Sequence, residues 1–83
     1  MYFVYIIESE KDGSFYLGQT SDIEQRLVAH NSGLTRSTKS KKPWKLVYSE
    51  EFDNRIDAII RERFLKKQRN REFYKRLIKK QLP

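Results

Sequence analysis

Two stretches near the start of the chain have the pattern of paired β-strands. Residues Tyr2–Ile7 form an unbroken run of aromatic and β-branched side chains, which is typical of a strand covered on both faces. Asp12 and Gly13 then form a pair that favours a tight hairpin turn. We therefore predict a central first strand that is joined by a hairpin to a second strand over Ser14–Thr20.

The length of that turn decides which side chains share a face of the hairpin. A two-residue turn places Tyr5 opposite Thr20 and Tyr16 opposite Ser9. Gly18 then lies on the same face as these four residues. The pattern thus predicts a sheet face that carries two tyrosines and a glycine.

A helix is predicted directly after the second strand. Ser21 followed three residues later by Glu24 matches the capping-box pattern with Ser21 at the N-cap, so the helix begins near Asp22. The sequence Asn31-Ser32-Gly33 predicts its end, because glycine readily adopts the left-handed conformation that closes a helix.

Three more elements complete the predicted fold. They are a strand over Trp44–Phe52, a helix from Asp53 or Asn54 to about Arg69, and a helix capped by Asn70 over Arg71 to about Lys80. The apolar stripe of the second helix, which is expected to pack on the sheet, comprises Ile56, Ile59, Ile60 and Phe64. The order β-β-α-β-α-α predicts one α+β domain over residues 1–83, with a three-stranded, mostly antiparallel sheet flanked by helices.

Composition narrows the possible partners and cofactors. The 83 residues include 18 Lys and Arg against 11 Asp and Glu, a net charge of +7 that points to a polyanionic partner. With no cysteine and one histidine, the chain cannot form a disulfide scaffold, a zinc finger or a multi-histidine metal site. The longest apolar run, Tyr2–Ile7, is too short for a membrane span and lacks the flanks of a signal peptide, so we expect a soluble cytoplasmic protein.

Much of the positive charge falls between the first helix and the third strand. Residues 34–43 mix basic side chains with serine and threonine, which predicts an exposed loop. Such a loop is either ordinary solvated surface or a contact for the phosphates of a nucleic-acid backbone. The basic residues available for those contacts are Arg36, Lys39, Lys41 and Lys42.

Three polar residues do not fit a purely structural role. On a helical wheel, Arg26 and His30 fall within about 60° of the inward-facing Ile23. Inward charge is uncommon unless it is paired or functional, although Arg26 could also extend to the rim of the sheet. Glu62 lies at the edge of the second helix's apolar stripe, where it either pairs with Lys66 at i+4 or faces a site.

Taken together, these residues resemble the GIY-YIG nuclease superfamily. Val4-Tyr5, ten intervening residues, Tyr16-Leu17-Gly18, a helix with Arg26 and His30, and a later helix with Glu62 occur in the order of that superfamily. The likeness covers roughly residues 1–75. It is strongest to small stand-alone members, which are similar to the endonuclease domain at the N-terminus of the DNA-repair subunit UvrC. The first triplet has phenylalanine where the family often has glycine, a position that is lax in the family.

The resemblance implies metal-dependent hydrolysis of a DNA phosphodiester and a role for each matching residue. Tyr16 is expected as the general base, supported by the always-charged Arg26, while Tyr5 positions water or phosphate. His30 could hydrogen-bond Tyr16 or take its proton. Glu62 matches the metal-binding glutamate, and one carboxylate suits a single Mg²⁺ or Mn²⁺ ion that keeps several waters. The expected substrate contacts are Gly18, Thr20, Arg36, Lys39, Lys41 and Lys42.

Two other kinds of function stay open. A non-catalytic nucleic-acid-binding module of the same fold would need only the basic face, so the complete set of site residues argues against it. A protein–protein adaptor would need an exposed apolar patch, for which the composition offers no surplus of apolar residues. The sequence also leaves open the kind of DNA or RNA bound, the choice between monomer and weak dimer, and whether Asn70 joins the site or only caps its helix.

Overall fold

The computed structural model describes residues 1–81 of the chain. Its elements are strands β1 (Tyr2–Ser9) and β2 (Phe15–Thr20), helix α1 (Ile23–Ser32), a short 3-10 helix (Lys39–Lys41), strand β3 (Trp44–Phe52), and helices α2 (Arg55–Gln68) and α3 (Arg71–Gln81). The strands form one antiparallel sheet in the order β2-β1-β3, which confirms the predicted α+β class and the central first strand. Helix α1 packs on one face of the sheet, and α2 and α3 pack on the other. Within residues 1–81, none of the helices has the length and apolar character needed to cross a membrane.

The hairpin loop is longer than the predicted two residues. The backbone N–H of Ser9 donates to the carbonyl of Ser14 at 2.8 Å, so four residues, 10–13, connect β1 to β2. The Asp12 carboxylate accepts the N–H of Ser14 at 2.9 Å, and Gly13 adopts a φ of 76°. Both residues therefore shape the turn, but inside a four-residue loop.

The longer loop shifts the register of the hairpin by two residues. Tyr5 lies opposite Gly18 rather than Thr20, and Tyr16 lies opposite Ile7, two residues from its predicted partner. Because a shift of two residues preserves the alternation of side chains, Tyr5, Tyr16 and Gly18 still share one face.

A β-bulge lets two buried aromatic residues of β3 reach opposite faces of the sheet. The pairing of β1 with β3 slips between Ile6 and Ile7, which leaves Val47 as an extra residue in β3. Trp44 consequently packs on the α1 side, while Tyr48 packs on the α2 side.

Helix α1 begins one residue later than predicted and ends where predicted. Asp22 rather than Ser21 is the N-cap, because the Asp22 carboxylate accepts the N–H of Gln25 at 3.0 Å. At the other end, Gly33 adopts a φ of 83°, which confirms it as the closing glycine.

Helix α2 turns a different side to the sheet from the one that its apolar stripe predicted. Ile56, Ile60 and Phe64 are 70%, 61% and 48% exposed, so this prediction was wrong. The inward side carries Ala58 and Leu65 instead, and both are fully buried. The three exposed residues form the apolar patch that the composition had argued against.

A small residue and an ion pair fix this rotation of α2. Ala58 lets the helix approach the sheet closely, and Arg61 donates to both carboxylate oxygens of Glu50 on β3, at 2.9 and 3.0 Å. Glu50 also accepts the hydroxyl of Tyr48. Burial and the Glu50 carboxylate raise the pKa of Tyr48 to about 12, so the hydroxyl remains a donor. Of the predicted stripe, Ile59 is the half-buried member.

Helix α3 is capped by Asn70, as predicted. The side-chain oxygen of Asn70 accepts the N–H groups of Glu72 and Phe73 at 3.0 and 3.2 Å. Tyr74 is buried, and its hydroxyl donates to the carbonyl of Leu65 at 2.7 Å, which joins α3 to α2. The side chain of Asn70 is thus engaged by its own helix.

The basic segment 34–43 is only partly the exposed loop that was predicted. It contains the 3-10 helix, and Thr38 just before that helix is fully buried. The indole N–H of Trp44 donates to the carbonyl of Thr38 at 2.9 Å. The side chain of Asn31 also bonds the backbone of Trp44 on both its N–H and its carbonyl. These contacts hold the segment against the end of α1.

Candidate active site

Tyr5 occupies the centre of the candidate site, on the middle strand of the sheet. Its ring lies directly over Gly18 of β2, where an added Cβ would stand 2.5 Å from the Tyr5 hydroxyl oxygen and 2.7 Å from Cζ. Any side chain at position 18 would therefore displace the tyrosine. Because Gly18 is itself buried, its structural contribution is to seat Tyr5 rather than to face a ligand.

A buried chain of hydrogen bonds runs from Tyr5 into the protein. The Tyr5 hydroxyl lies 3.0 Å from Nε2 of His30, and Nδ1 of His30 lies 2.8 Å from the hydroxyl of Thr38. The Thr38 hydroxyl donates to the carbonyl of Thr35 at 3.3 Å, so it can only accept from His30. The network therefore assigns the proton of the neutral imidazole to Nδ1, and Nε2 accepts the hydroxyl proton of Tyr5.

The protonation of this pair follows from burial. Burial raises the pKa of Tyr5 by more than the neighbouring Arg26 lowers it, and the charges of Tyr16 and Glu62 raise it further. Burial and then the charge of Arg26 lower the pKa of His30. At neutral pH, Tyr5 is accordingly a protonated donor and His30 a neutral acceptor.

Arg26 lies at the exposed rim of α1, beside both tyrosines. Its hydrogen-bonding interaction with Tyr5, together with the hydroxyl of Tyr16, raises the pKa of the Arg26 guanidinium. Within residues 1–81, Arg26 forms no ion pair with a carboxylate. The rim position that the sequence left open is thus the one Arg26 adopts, and it places a free cation next to two phenols.

Tyr16 differs from Tyr5 in what its ring and hydroxyl contact. The half-buried ring packs edge-on against His30 and Trp44, with centroid separations of 5.0 and 6.3 Å. Its hydroxyl faces Arg26, while the hydrogen bond of His30 goes to Tyr5. Tyr16 is therefore the phenol whose hydroxyl is left for chemistry at the surface.

Glu62 lies near this cluster without touching it. Its side chain is 17% exposed, and its carboxylate pairs with Nζ of Lys66 at 3.4 Å. The charge of Glu62 raises the pKa of Tyr5, but within residues 1–81 no hydrogen bond or ion pair joins it to Tyr5, Tyr16 or Arg26. Both positions considered from the sequence thus apply in part: Glu62 pairs with Lys66, yet it is mostly covered and close to the tyrosines.

The chemistry of these donors limits which metal ion they could hold. Across the described residues, no three His, Cys, Asp or Glu side chains come together as a ready metal cage. Glu62 offers one carboxylate, and the neighbouring donors are phenolic oxygens. Such an oxygen-poor site fits Mg²⁺ or Mn²⁺, since a hard ion of this kind keeps several waters and takes further oxygen from a phosphate.

The basic residues of the segment 34–43 are not all equally available. Nζ of Lys41 donates to the Ser14 hydroxyl at 3.0 Å and lies 3.5 Å from the carboxylate of Asp12, so it ties the segment to the hairpin loop. Two of the others lie over Gly33 at the end of α1. The basic residues that form no ion pair within the described part of the chain are Arg36, Lys39 and Lys42.

Thr20 and Thr38 differ from what the sequence indicated. Thr20, an expected substrate contact, uses its hydroxyl on the backbone of Asp22, accepting its N–H at 3.1 Å and donating to its carbonyl at 3.3 Å. Thr38 was not predicted at all, although it sets the orientation of His30. A lone threonine in a basic run has no periodic signal, so no sequence pattern could have identified it.

Comparison with known proteins gives one consistent family. A family model described as the GIY-YIG catalytic domain matches residues 1–76. A UPF0213 protein of Staphylococcus saprophyticus is 44% identical over 62 residues, covering 74% of this chain and 74% of the relative. A UPF0213 protein of Lactococcus lactis is 42% identical over 82 residues, covering 98% and 78%. The solution NMR structure of a UPF0213 protein from Bacillus halodurans superposes with a TM-score of 0.59 at 31% identity, covering 98% of this chain and 86% of the other.

Proposed function

This chain belongs to the family of GIY-YIG catalytic domains, and we propose that it is a small endonuclease that hydrolyses DNA phosphodiester bonds with one Mg²⁺ or Mn²⁺ ion. The observation that carries the proposal is the placement of an unpaired Arg26 beside the hydroxyls of Tyr5 and Tyr16, on a chain with a net charge of +7. A cation held against two phenols at a surface is a suitable environment for a phosphate that must be attacked by water.

Arg26 would bind the phosphate at the cleavage site. Its planar guanidinium can donate to two phosphate oxygens at once and stays charged at every relevant pH. Because no carboxylate within residues 1–81 pairs with it, the substrate does not have to displace an internal partner.

Tyr5 would position the reacting groups, and Tyr16 would act as the general base. The hydroxyl proton of Tyr5 is committed to His30, and burial raises the pKa of Tyr5, so this phenol is a poor base. The hydroxyl of Tyr16 lies beside Arg26, whose positive charge would stabilise the phenolate that accepts a proton from water.

Glu62 would hold the metal ion. Its carboxylate is mostly covered and lies close enough to Tyr5 for its charge to act there, and Lys66 would have to release it. A divalent ion shared by Glu62 and a phosphate oxygen supplies charge neutralisation at the phosphate and at the leaving oxygen. The exposed, unpaired lysines and arginine of the segment 34–43 would hold the flanking backbone without reading bases.

A cleavage assay tests the proposal. Supercoiled plasmid and labelled single-stranded, duplex and branched oligonucleotides are incubated with Mg²⁺, Mn²⁺ or EDTA. We expect cleavage with either metal and none with EDTA, and Arg26→Ala should lose it. The matched control Arg63→Ala removes the same charge from an exposed position of α2 and should cleave like the wild type. Salt-sensitive binding without cleavage of any substrate would instead make the chain a binding module and overturn the proposal.

A further inference from the structure

A second polar pocket lies at the end of β2, next to the candidate active site. Its volume is about 320 Å³. The residues that line it are Tyr2, Gln19, Thr20, Ser21, Arg26 and Arg55. It shares Arg26 with the candidate site, whereas Tyr5, Tyr16 and Glu62 do not line it. The name Arg26–Arg55 pocket is used for it below.

The charge of this pocket is positive and uncompensated. Arg26 comes from α1 and Arg55 from α2, and no carboxylate is among the lining residues. Neither arginine forms an ion pair anywhere in residues 1–81. Two guanidinium groups that converge on one polar pocket without an internal counter-ion are suited to an anion with several oxygens, of which phosphate is the best match.

The position of Arg55 in its helix is a second sign of a ligand. Arg55 is the first residue of α2, where the positive end of the helix dipole disfavours a cation. Its side chain is exposed, and within residues 1–81 it makes no hydrogen bond or ion pair that would offset this repulsion. A bound phosphate would supply the missing negative charge.

The polar neighbours of the arginines fit the same ligand. The hydroxyl of Thr20 is occupied by the backbone of Asp22, so it shapes the turn between β2 and α1. The side chains of Gln19 and Ser21 form no hydrogen bond within the described residues, which leaves their donor groups for an anion.

We propose that the Arg26–Arg55 pocket binds a backbone phosphate of the nucleic acid, adjacent to the phosphate at the cleavage site; the identity of this ligand rests on the proposed function. The pocket lies at the N-terminal end of α1, and the basic segment lies at its C-terminal end. A ten-residue helix spans about 15 Å. A nucleic-acid backbone that follows α1 would therefore contact the pocket, the candidate site and the basic segment in turn.

Binding measured without metal tests the pocket independently of catalysis. Fluorescence anisotropy with a labelled DNA duplex in EDTA gives the affinity of the wild type, Arg55→Gln and the control Arg63→Gln at several salt concentrations. Loss of one phosphate contact should weaken binding roughly 10-fold at 0.1 M salt and reduce the salt slope of log K by about 0.9. Arg63→Gln should stay within about twofold of the wild type, because Arg63 is remote from the pocket. Arg55→Gln should keep the wild-type melting temperature or raise it, since it removes a cation from a helix N-terminus.

The outcomes separate the pocket from the proposed activity. Equal losses for Arg55→Gln and Arg63→Gln would show that only net charge matters, and would overturn the pocket whether or not the protein cleaves DNA. A loss specific to Arg55→Gln in a protein that never cleaves would support the pocket and refute the nuclease. In single-turnover cleavage at saturating protein, Arg55→Gln should retain the wild-type rate within about twofold, because Arg55 binds the neighbouring phosphate and not the reacting one. A maximal rate lowered as much as by Arg26→Ala would contradict that placement.

Discussion

At the scale of single residues, the hydrogen-bond chain from Tyr5 through His30 to Thr38 decides how the two tyrosines differ. Thr38 accepts from Nδ1 of His30 because its own proton is used on a carbonyl. His30 can then only accept from Tyr5, which keeps that phenol protonated and oriented. A buried threonine that touches neither Arg26 nor Tyr16 in this network thus assigns the role of base to Tyr16.

Thr38→Val should change the tautomer of His30. Valine is nearly isosteric with threonine but cannot accept a hydrogen bond, so the buried Nδ1–H would lose its partner, at about 1–3 kcal/mol of stability. We expect the neutral imidazole to shift toward the Nε2–H form. Nitrogen-15 NMR of the imidazole measures this, and the spectrum needs no assignment because the chain has one histidine.

The conservative variant Thr38→Ser serves as the control, because it restores the acceptor and should restore the Nδ1–H form. An unchanged Nδ1–H population in Thr38→Val would show that Thr38 does not set the tautomer.

The sequence predicted this part of the molecule only as far as helical spacing reaches. Arg26 and His30 were placed on the inward side of α1, where the structure puts His30 in the core and Arg26 at the rim beside the tyrosines. The contact between His30 and Thr38 joins a helix to an irregular segment. Because that segment has no repeat of its own, the contact depends on tertiary folding.

At the scale of elements, the rotation of α2 is the feature with the greatest effect on the site. The inward side is set by Ala58, Leu65 and the ion pair from Arg61 to β3. Glu62 lies about 40° from Ala58 around the helix, so the same rotation brings it under partial cover near Tyr5. Had the Ile60 side faced the sheet, Glu62 would have pointed into solvent.

Two substitutions in α2 should have opposite effects on stability. Leu65→Ala removes a fully buried side chain and should lower the free energy of unfolding by about 2–5 kcal/mol. Ile60→Lys replaces a residue that is 61% exposed and should change it by no more than about 0.5 kcal/mol. Urea denaturation of both variants measures the difference. If Ile60→Lys were the more destabilising change, the stripe predicted from the sequence would face the core after all.

The apolar spacing of α2 misled the prediction for a physical reason. Ile56, Ile60 and Phe64 recur at helical spacing and are the bulkiest side chains of the helix, so periodicity alone selects them. The sheet instead accepts a small residue and an arginine whose charge is neutralised by Glu50. That pairing is visible only once β3 and α2 are side by side.

At the scale of the whole molecule, the central strand was predictable and the registers were not. An apolar run covered on both faces fixes β1 in the middle of a small sheet. The four-residue hairpin loop and the bulge at Val47 depend on local hydrogen bonds and on packing across strands. Both were outside the reach of a turn motif or an alternation pattern.

The stability of the molecule should fall as the pH drops below about 6.5. Burial and the charge of Arg26 lower the pKa of His30, so the unfolded chain binds a proton that the folded chain does not. Stability is therefore fully present above the unfolded pKa and is lost below it, with a slope of at most about 1.4 kcal/mol per pH unit. Tyr5, Tyr16 and Arg26 surround the imidazole, and none of these groups supplies a carboxylate that would reverse the sign.

Denaturation curves at pH 7.5, 6.5 and 5.5 measure this dependence, and a His30→Gln variant should lose the slope in that window. Constant stability between pH 7 and 5.5 in the wild-type chain would contradict the buried neutral state of His30.

Cleavage by Glu62→Gln tests most directly whether this cluster is a metal-dependent nuclease site. The change is nearly isosteric and removes the carboxylate that would hold the ion. Its control, Glu72→Gln, removes an exposed carboxylate that also pairs with a lysine of its own helix, at 3.8 Å. We predict that Glu62→Gln lowers the Mg²⁺-dependent cleavage rate about a thousandfold or more, while metal-free DNA binding is unchanged or tighter and Glu72→Gln cleaves normally. Wild-type cleavage by Glu62→Gln would leave the ion without a protein ligand and contradict the assignment.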